Sequence, residues 1–185
     1  MSLEYAILGF LKYHPYSGYD LKKIFDTSVR HFWPADQSQI YRTLSRLMEQ
    51  GYADMEKIPQ EDRPDRKVYH ITEAGCSALK AWLSGPPPFD EPRSAPLIQV
   101  FFSGQLSNDE ILAKFEGFAA QMREILAQYD YIPGKLIPFQ QEIPSAREHF
   151  FWFLTLENGV ANMRANLAWA ESVIERIKNG QVPEN

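Results

Sequence analysis

Residues Asp36 to Gly51 read DQSQIYRTLSRLMEQG. Ile40, Leu44, Leu47 and Met48 recur there at helical spacing, so one face is apolar. Asp36 supplies an N-cap oxygen and Gly51 a stop. With that face inward, the outward positions are Ser38, Gln39, Tyr41, Arg42, Ser45, Arg46 and Glu49. Gln39, Arg42 and Arg46 lie three and four apart and share a face. Gln, Ser, Tyr and Arg are side chains that reach phosphates and base edges. Alone, the same set would serve an ordinary solvated helix face, and Gln39, three after Asp36, would also complete a capping box. The flanking segments decide what the face is for.

Upstream, Leu3, Ile7, Phe10 and Leu11 form one stripe of an amphipathic helix ending before Pro15. Ser17 opens a second helix, with Asp20 three residues on as a capping-box variant and Leu21, Ile24 and Phe25 as the buried face. A break follows at Phe32-Trp33-Pro34. Downstream of Gly51, Tyr52 to Ile58 and Lys67 to Ile71 read as two strands joined by the polar turn Pro59 to Asp65. Thr72 then caps a fourth helix carrying Ala78, Leu79, Trp82 and Leu83. Three helices, a two-stranded wing and a fourth helix make the winged helix-turn-helix plan. Arg63, Arg66 and Lys67 cluster at the turn, diluted by Glu61, Asp62 and Asp65. A polar third-helix face followed by a basic wing points to DNA.

The strings MSLEYAILGFL, SGYDLKKIF, FWPADQSQIYRTLSRLMEQGYADME and RPDRKVYHITEAGCSALKAWL resemble the PadR family of bacterial transcriptional regulators. The resemblance is dense over residues 1–84. The remainder is more loosely similar to the virulence-activator-like C-terminal domain of the family's long form. The resemblance implies a homodimer on an inverted-repeat operator, mostly acting as a repressor, and release from DNA by phenolic acids. It places Ser38, Gln39, Tyr41 and Arg42 in or at the major groove, and Arg66, Lys67 and Tyr69 in the wing. Effector-site residues vary in the family, and none is carried over.

Residues 85–96, GPPPFDEPRSAP, hold five prolines in twelve positions. Neither helix nor sheet continues through such a run, so it reads as a stiff connector between residues 1–84 and 97–185. In the second unit LIQVFF (Leu97 to Phe102) predicts a short helix. Ser107 to Glu110 is a capping box, followed by Ile111, Phe115, Phe118, Met122, Ile125 and Tyr129. Ser145 to Glu148 is another. After it Phe153, Leu156, Val160, Met163, Leu167, Ala170, Ile174 and Ile177 hold a seven-residue repeat up to Asn179-Gly180. That helix would be roughly 50 Å long at 1.5 Å per residue. So long a repeat predicts antiparallel, coiled-coil-like helices. The helix of residues 107–130 can pack on it within the chain while the pair meets a second copy. Phe153, Leu156, Val160, Met163, Leu167 and Ile174 are the expected dimerisation residues. The pattern assigns no structure to residues 131–144. The expected fold is therefore mainly α: a winged helix-turn-helix and a helical dimerisation arm.

Composition narrows the function. Hydrophobic residues make up 44% and charged residues 23%, inside the globular range. Lys plus Arg is 19 against 24 Asp plus Glu, a net charge of -5 that excludes a histone-like polycation. Residues 1–84 carry 11 of each sign, and the acidic surplus lies entirely beyond them. The single cysteine, Cys76, excludes an intrachain disulfide and a Cys-rich zinc module and reads as a packing residue. His14, His31, His70 and His149 lack ligand spacing, and no P-loop, G-x-S-x-G or G-x-G-x-x-G appears. No enzyme activity, cofactor or metal is expected. No stretch reaches 18 apolar residues and no basic segment precedes the N-terminal apolar run, so a soluble cytoplasmic protein is expected. Thirteen of the 25 aromatics follow Gly85. Most should fill core. The sharper reading is that Phe150 and Trp152 line an effector cavity between arm and DNA-binding head, with Arg147 as the cation for a phenolate. The competing reading of the whole chain is a winged helix used only for protein interaction.

Overall fold

The computed structural model describes residues 2–60, 65–87, 94–129 and 143–183. The chain divides into two compact units, Met1–Phe89 and Asp90–Asn185.

In the first unit α1 (Ser2–Tyr13) is followed by β1 (Tyr16–Ser17), α2 (Gly18–Thr27), α3 (Gln37–Glu49), β2 (Ala53–Ile58), β3 (Arg66–Ile71) and α4 (Glu73–Ser84). The apolar faces of the helices meet in a core whose largest wholly buried side chains are Ile7, Leu8, Leu21, Phe25, Ile40, Leu44 and Leu47. The face of α1 is wider than the four-residue stripe, because Leu8 is completely buried. Phe10 tilts onto Phe25 at 5.1 Å between ring centroids. The strands form one antiparallel sheet in the order β1-β3-β2. Ile58 lies opposite Arg66 and Ala53 opposite Ile71.

The third strand, β1, was not expected. It pairs Tyr16 with Tyr69 and Ser17 with Val68, so β3 is the central strand. Tyr52, expected in β2, is outside it because its backbone is already used. Its N–H donates to the Leu47 carbonyl at 2.8 Å, and its carbonyl accepts from the Thr72 N–H at 3.1 Å. The expected stop at Gly51 is a left-handed residue, φ 72°. The Thr72 hydroxyl donates to the Gly51 carbonyl at 2.7 Å and accepts from the Gly75 N–H at 3.1 Å. The start of α4 is thereby bolted to the end of α3.

In the second unit α5 (Ala95–Phe101), capped by Ser94, leads through a 3-10 turn at Ser103–Gln105 into α6 (Asn108–Tyr129). The 33-residue α7 (Ala146–Lys178) begins at the Ser145 cap and ends at Asn179. α6 and α7 pack antiparallel around Ile111, Phe115, Ala119, Ala170 and Ile177. Two ion pairs mark the register: Lys178 with Glu116 at 2.7 Å and Arg123 with Glu171 at 2.6 Å. They stand one heptad apart on both helices. The same register sets Tyr129, the last residue of α6, opposite about Ala165, taking the helices as straight rods. Phe153, Leu156, Val160 and Met163 therefore lie beyond the end of α6. Leu167 and Ile174, expected between chains, are partly buried against the core that α6 and α7 share within the chain. Trp169, outside the heptad positions, also packs there, edge-on to Phe115 at 5.4 Å.

Gly75 is required for the α3–α4 junction. A Cβ there would stand 2.2 Å from the Tyr52 carbonyl oxygen, a backbone atom that cannot turn aside. Gly75→Ala is expected to lower stability by about 1–3 kcal/mol despite alanine's better helix propensity. Thermal unfolding of the full chain measures this, and an unchanged midpoint would refute the contact.

Candidate nucleic-acid interface

The exposed face of α3 is set by its cap. Asp36 accepts from the Gln39 N–H at 2.7 Å, and the Gln39 side-chain carbonyl accepts from the Asp36 N–H at 2.9 Å. Gln39 therefore closes a capping box and keeps only its NH2 group for another partner. Ser38 and Arg42 are exposed. Arg42 leans back one turn, its Nε 3.3 Å from the Ser38 carbonyl, and makes no ion pair among the described residues.

Arg46 does not join them as an open side chain. Its Nη1 donates to Glu4 Oε1 of α1 at 2.8 Å, and Glu4 is a buried carboxylate. It ties α3 to α1, a role the outward-face reading missed. A signal was present: Glu4, Ile7, Leu8 and Leu11 share one helical stripe, and a carboxylate in an apolar stripe needs a partner.

Tyr41 is 39% exposed. Its ring lies across the backbone of Gly18, where a Cβ would come within 2.5 Å of Cε1. Glycine thus allows the close approach of α2 to α3. Tyr69, expected as a wing side chain, is only 4% exposed. Burial raises its phenol's pKa, and the Tyr41 phenol adds to the shift. Tyr69 supports the wing from within the sheet rather than presenting a surface.

At the wing, Arg66 and Lys67 are exposed, and Arg63 lies outside the described residues. Arg66 Nη2 donates to Asp20 Oδ2 at 2.6 Å. The same oxygen accepts from the Ser17 hydroxyl at 2.6 Å and the Ser17 N–H at 3.4 Å. Burial works against the Asp20 charge, but the Ser17 and Arg66 hydrogen bonds and the Arg66 charge outweigh it and hold the carboxyl below its ordinary pKa. Sequence reading found the Ser17–Asp20 cap and missed Arg66. Lys67 makes no ion pair among the described residues. The candidate interface is thus the α3 face of Ser38, Gln39, Tyr41 and Arg42, together with Lys67 and an α2-tied Arg66 on the wing strand β3.

Residues 7–81 match the transcriptional regulator PadR-like family, and residues 92–178 match the virulence activator alpha C-terminal model. The chain thus carries a PadR-like domain followed by a virulence activator alpha C-terminal domain. The negative transcriptional regulator PadR of Bacillus subtilis is 27% identical over 176 residues, 95% of this chain and 97% of that protein. A probable transcriptional regulator of Mycobacterium tuberculosis, Rv1176c, is 40% identical over 86 residues, 46% of each chain. The crystal structure of Bacillus subtilis PadR with operator DNA superimposes with TM-score 0.83 at 27% identity, over 96% of this chain and 99% of that one. The virulence activator AphA of Vibrio cholerae gives TM-score 0.73 at 25% identity, over 97% and 99%. The fold of this PadR-like chain is that of the winged-helix regulators.

The expected effector residues stand on the first two turns of α7. Arg147 sits over the Phe151 ring at 5.3 Å, not over Phe150 or Trp152. Trp152 packs on His149 at 5.1 Å, and Phe150 is 59% exposed. A groove of about 300 Å³ in the second unit is lined elsewhere, by Val100, Lys114, Phe118 and Trp169 among others.

A carboxyl whose pKa is depressed by folding stabilises the fold above its ordinary range, and that contribution is lost as pH falls through the depressed value. Asp20→Asn should therefore unfold at lower urea than the parent near neutral pH. The gap should close in acid below the ordinary aspartate range. A gap independent of pH would show that the charge of Asp20 is not what stabilises the cap.

Proposed function

We propose that the chain is a homodimeric repressor that binds an inverted-repeat operator and is released by a small aromatic ligand. The observation that carries the reading is the open α3 face of Ser38, Tyr41 and Arg42, with Lys67 exposed on the wing strand β3. The fold presenting that face superimposes on Bacillus subtilis PadR held with operator DNA. Repression is supported by the relative's description as a negative regulator. The effector is supported by a crystal structure of Bacillus subtilis PadR with p-coumaric acid. Arg147, Phe150 and Trp152 are its proposed contacts here, as a cation beside exposed aromatic surface. By linkage the ligand must bind the released form more tightly than the operator-bound one.

The dimer is supported by α7. Its apolar half from Phe150 to Met163 runs beyond the reach of α6, with Phe150, Phe151 and Leu154 exposed by 59%, 47% and 41%. A second copy seated there would make a dimer, and dimeric helix-turn-helix proteins read half-sites about 34 Å apart, one DNA turn.

The test is binding to the DNA upstream of the protein's own gene against random DNA of equal length, over a salt series. Tight, competitor-resistant binding at two chains per site is expected. Arg42→Ala should cost about 1–3 kcal/mol on the operator if Arg42 contacts a base, and Lys67→Ala should weaken all sequences alike and flatten the log–log salt slope by about one. Weak binding without salt dependence, indifferent to Arg42→Ala, would favour a protein-interaction module.

A further inference from the structure

The Asp20–Arg66 pair joins elements 46 residues apart in sequence. One carboxylate oxygen gathers the guanidinium, the Ser17 hydroxyl and the Ser17 N–H. Ser17 is itself fixed twice, by pairing with Val68 and by capping α2. The carboxylate is therefore held in place, and Arg66 is drawn to it. The pair also stands beside the candidate interface. Gly18, two residues before Asp20, lies under the ring of Tyr41, and Lys67 follows Arg66. The Arg66 side chain is 48% exposed, and its Nε and Nη1 have no protein partner among the described residues.

We propose that Asp20 is a specificity-determining residue that cancels the charge of Arg66 at the DNA-facing edge of the winged helix. The inference rests on the DNA-binding reading above. Sequence-blind binding is almost wholly electrostatic, each neutralised phosphate adding about 0.9 to the salt slope. A guanidinium paired at 2.6 Å with a carboxylate carries almost no net charge to a phosphate several ångströms away. It nonetheless keeps planar donors that can meet a phosphate set at one position. The pair thus preserves a positional contact and removes general attraction. What matters against a genome of competing sites is the ratio of operator to random binding, and this arrangement raises it.

A charge cycle tests the inference on the full-length protein: parent, Asp20→Asn, Arg66→Ala and the double variant, each titrated with random DNA and with operator over a salt series. Asn at position 20 keeps an acceptor for Ser17, and Arg66→Ala leaves the cap untouched; circular dichroism checks that all four fold. Asp20→Asn should bind random DNA several-fold tighter at low salt, with a slope steeper by about 0.9. Arg66→Ala should be weaker and shallower by a similar amount, and the double variant should return to the parent. The operator-to-random ratio should fall in Asp20→Asn. Equal slopes for all four proteins would overturn the proposal, as would Asp20→Asn weakening both DNAs alike, the mark of a merely structural role. Lys67→Ala separates the two readings. If it flattens the parent's slope while Asp20→Asn changes nothing, only the present inference falls. If the parent shows no salt-dependent binding, both fall.

Discussion

The first unit depends on Ser17. Its backbone pairs with Val68 in β3, its side chain accepts from the Asp20 N–H at 3.2 Å to start α2, and its hydroxyl donates to the Asp20 carboxylate. A two-stranded hairpin such as β2–β3 is marginal by itself in water. The two residues of β1 make it three-stranded and fasten it to the start of the helix-turn-helix. A Cβ at the next residue, Gly18, would come within 2.5 Å of the Tyr41 ring, so any other residue there would push that ring aside. Within five positions the chain completes a sheet, caps a helix, admits the ring of α3 and places the carboxylate that holds Arg66. These contacts tie the wing strand β3 to the start of α2.

The second unit is held by apolar contact, and its ion pairs only mark the register. Each of those pairs is about half exposed on both sides, a setting in which a salt bridge contributes roughly 0–1 kcal/mol. Ala119 and Ala170 are both completely buried, and such small side chains let two helix backbones approach closely. Phe115 and Ile177 fill the space beside them. The length mismatch has a direct consequence. A 22-residue helix lying against a 33-residue one leaves an overhang, and here the overhang carries Phe150 to Phe153. One chain's α6 does not extend to that surface.

What was legible in the sequence was local. The caps at Ser17, Asp36, Thr72, Ser107 and Ser145 follow rules of three-residue reach, and each is made in the structure. Helical periodicity likewise located α3, α6 and α7 to within a residue or two. The contacts that shape the candidate interface span 42 residues for Arg46–Glu4 and 46 for Arg66–Asp20, and no spacing rule encodes them. A two-residue strand carries no period, so β1 was invisible. That omission explains Tyr69. Alternation would leave one of two adjacent strand residues open, but Val68 and Tyr69 are both buried. β3 is the central strand, and at Val68 and Tyr69 both of its faces are covered.

The charge balance then acquires a structural meaning. The proposed DNA-binding head has no net charge over residues 1–84, and the chain as a whole carries -5. Of the cations on and beside the α3 face, Arg46 is committed to Glu4 and Arg66 to Asp20. Arg42 and Lys67 make no ion pair among the described residues. A single head with so little net charge would bind weakly, because each phosphate contact adds only modestly to affinity and is screened by salt. In the proposed dimer two heads double the contacts and add the geometric requirement that both half-sites be present. A low charge per head therefore makes general attraction small and places the discrimination in the paired arrangement of two α3 faces. On the proposed reading, the long α7 arm and the sparingly charged winged helix are two parts of one solution: affinity comes from duplication, and the suppressed charge keeps it confined to the operator.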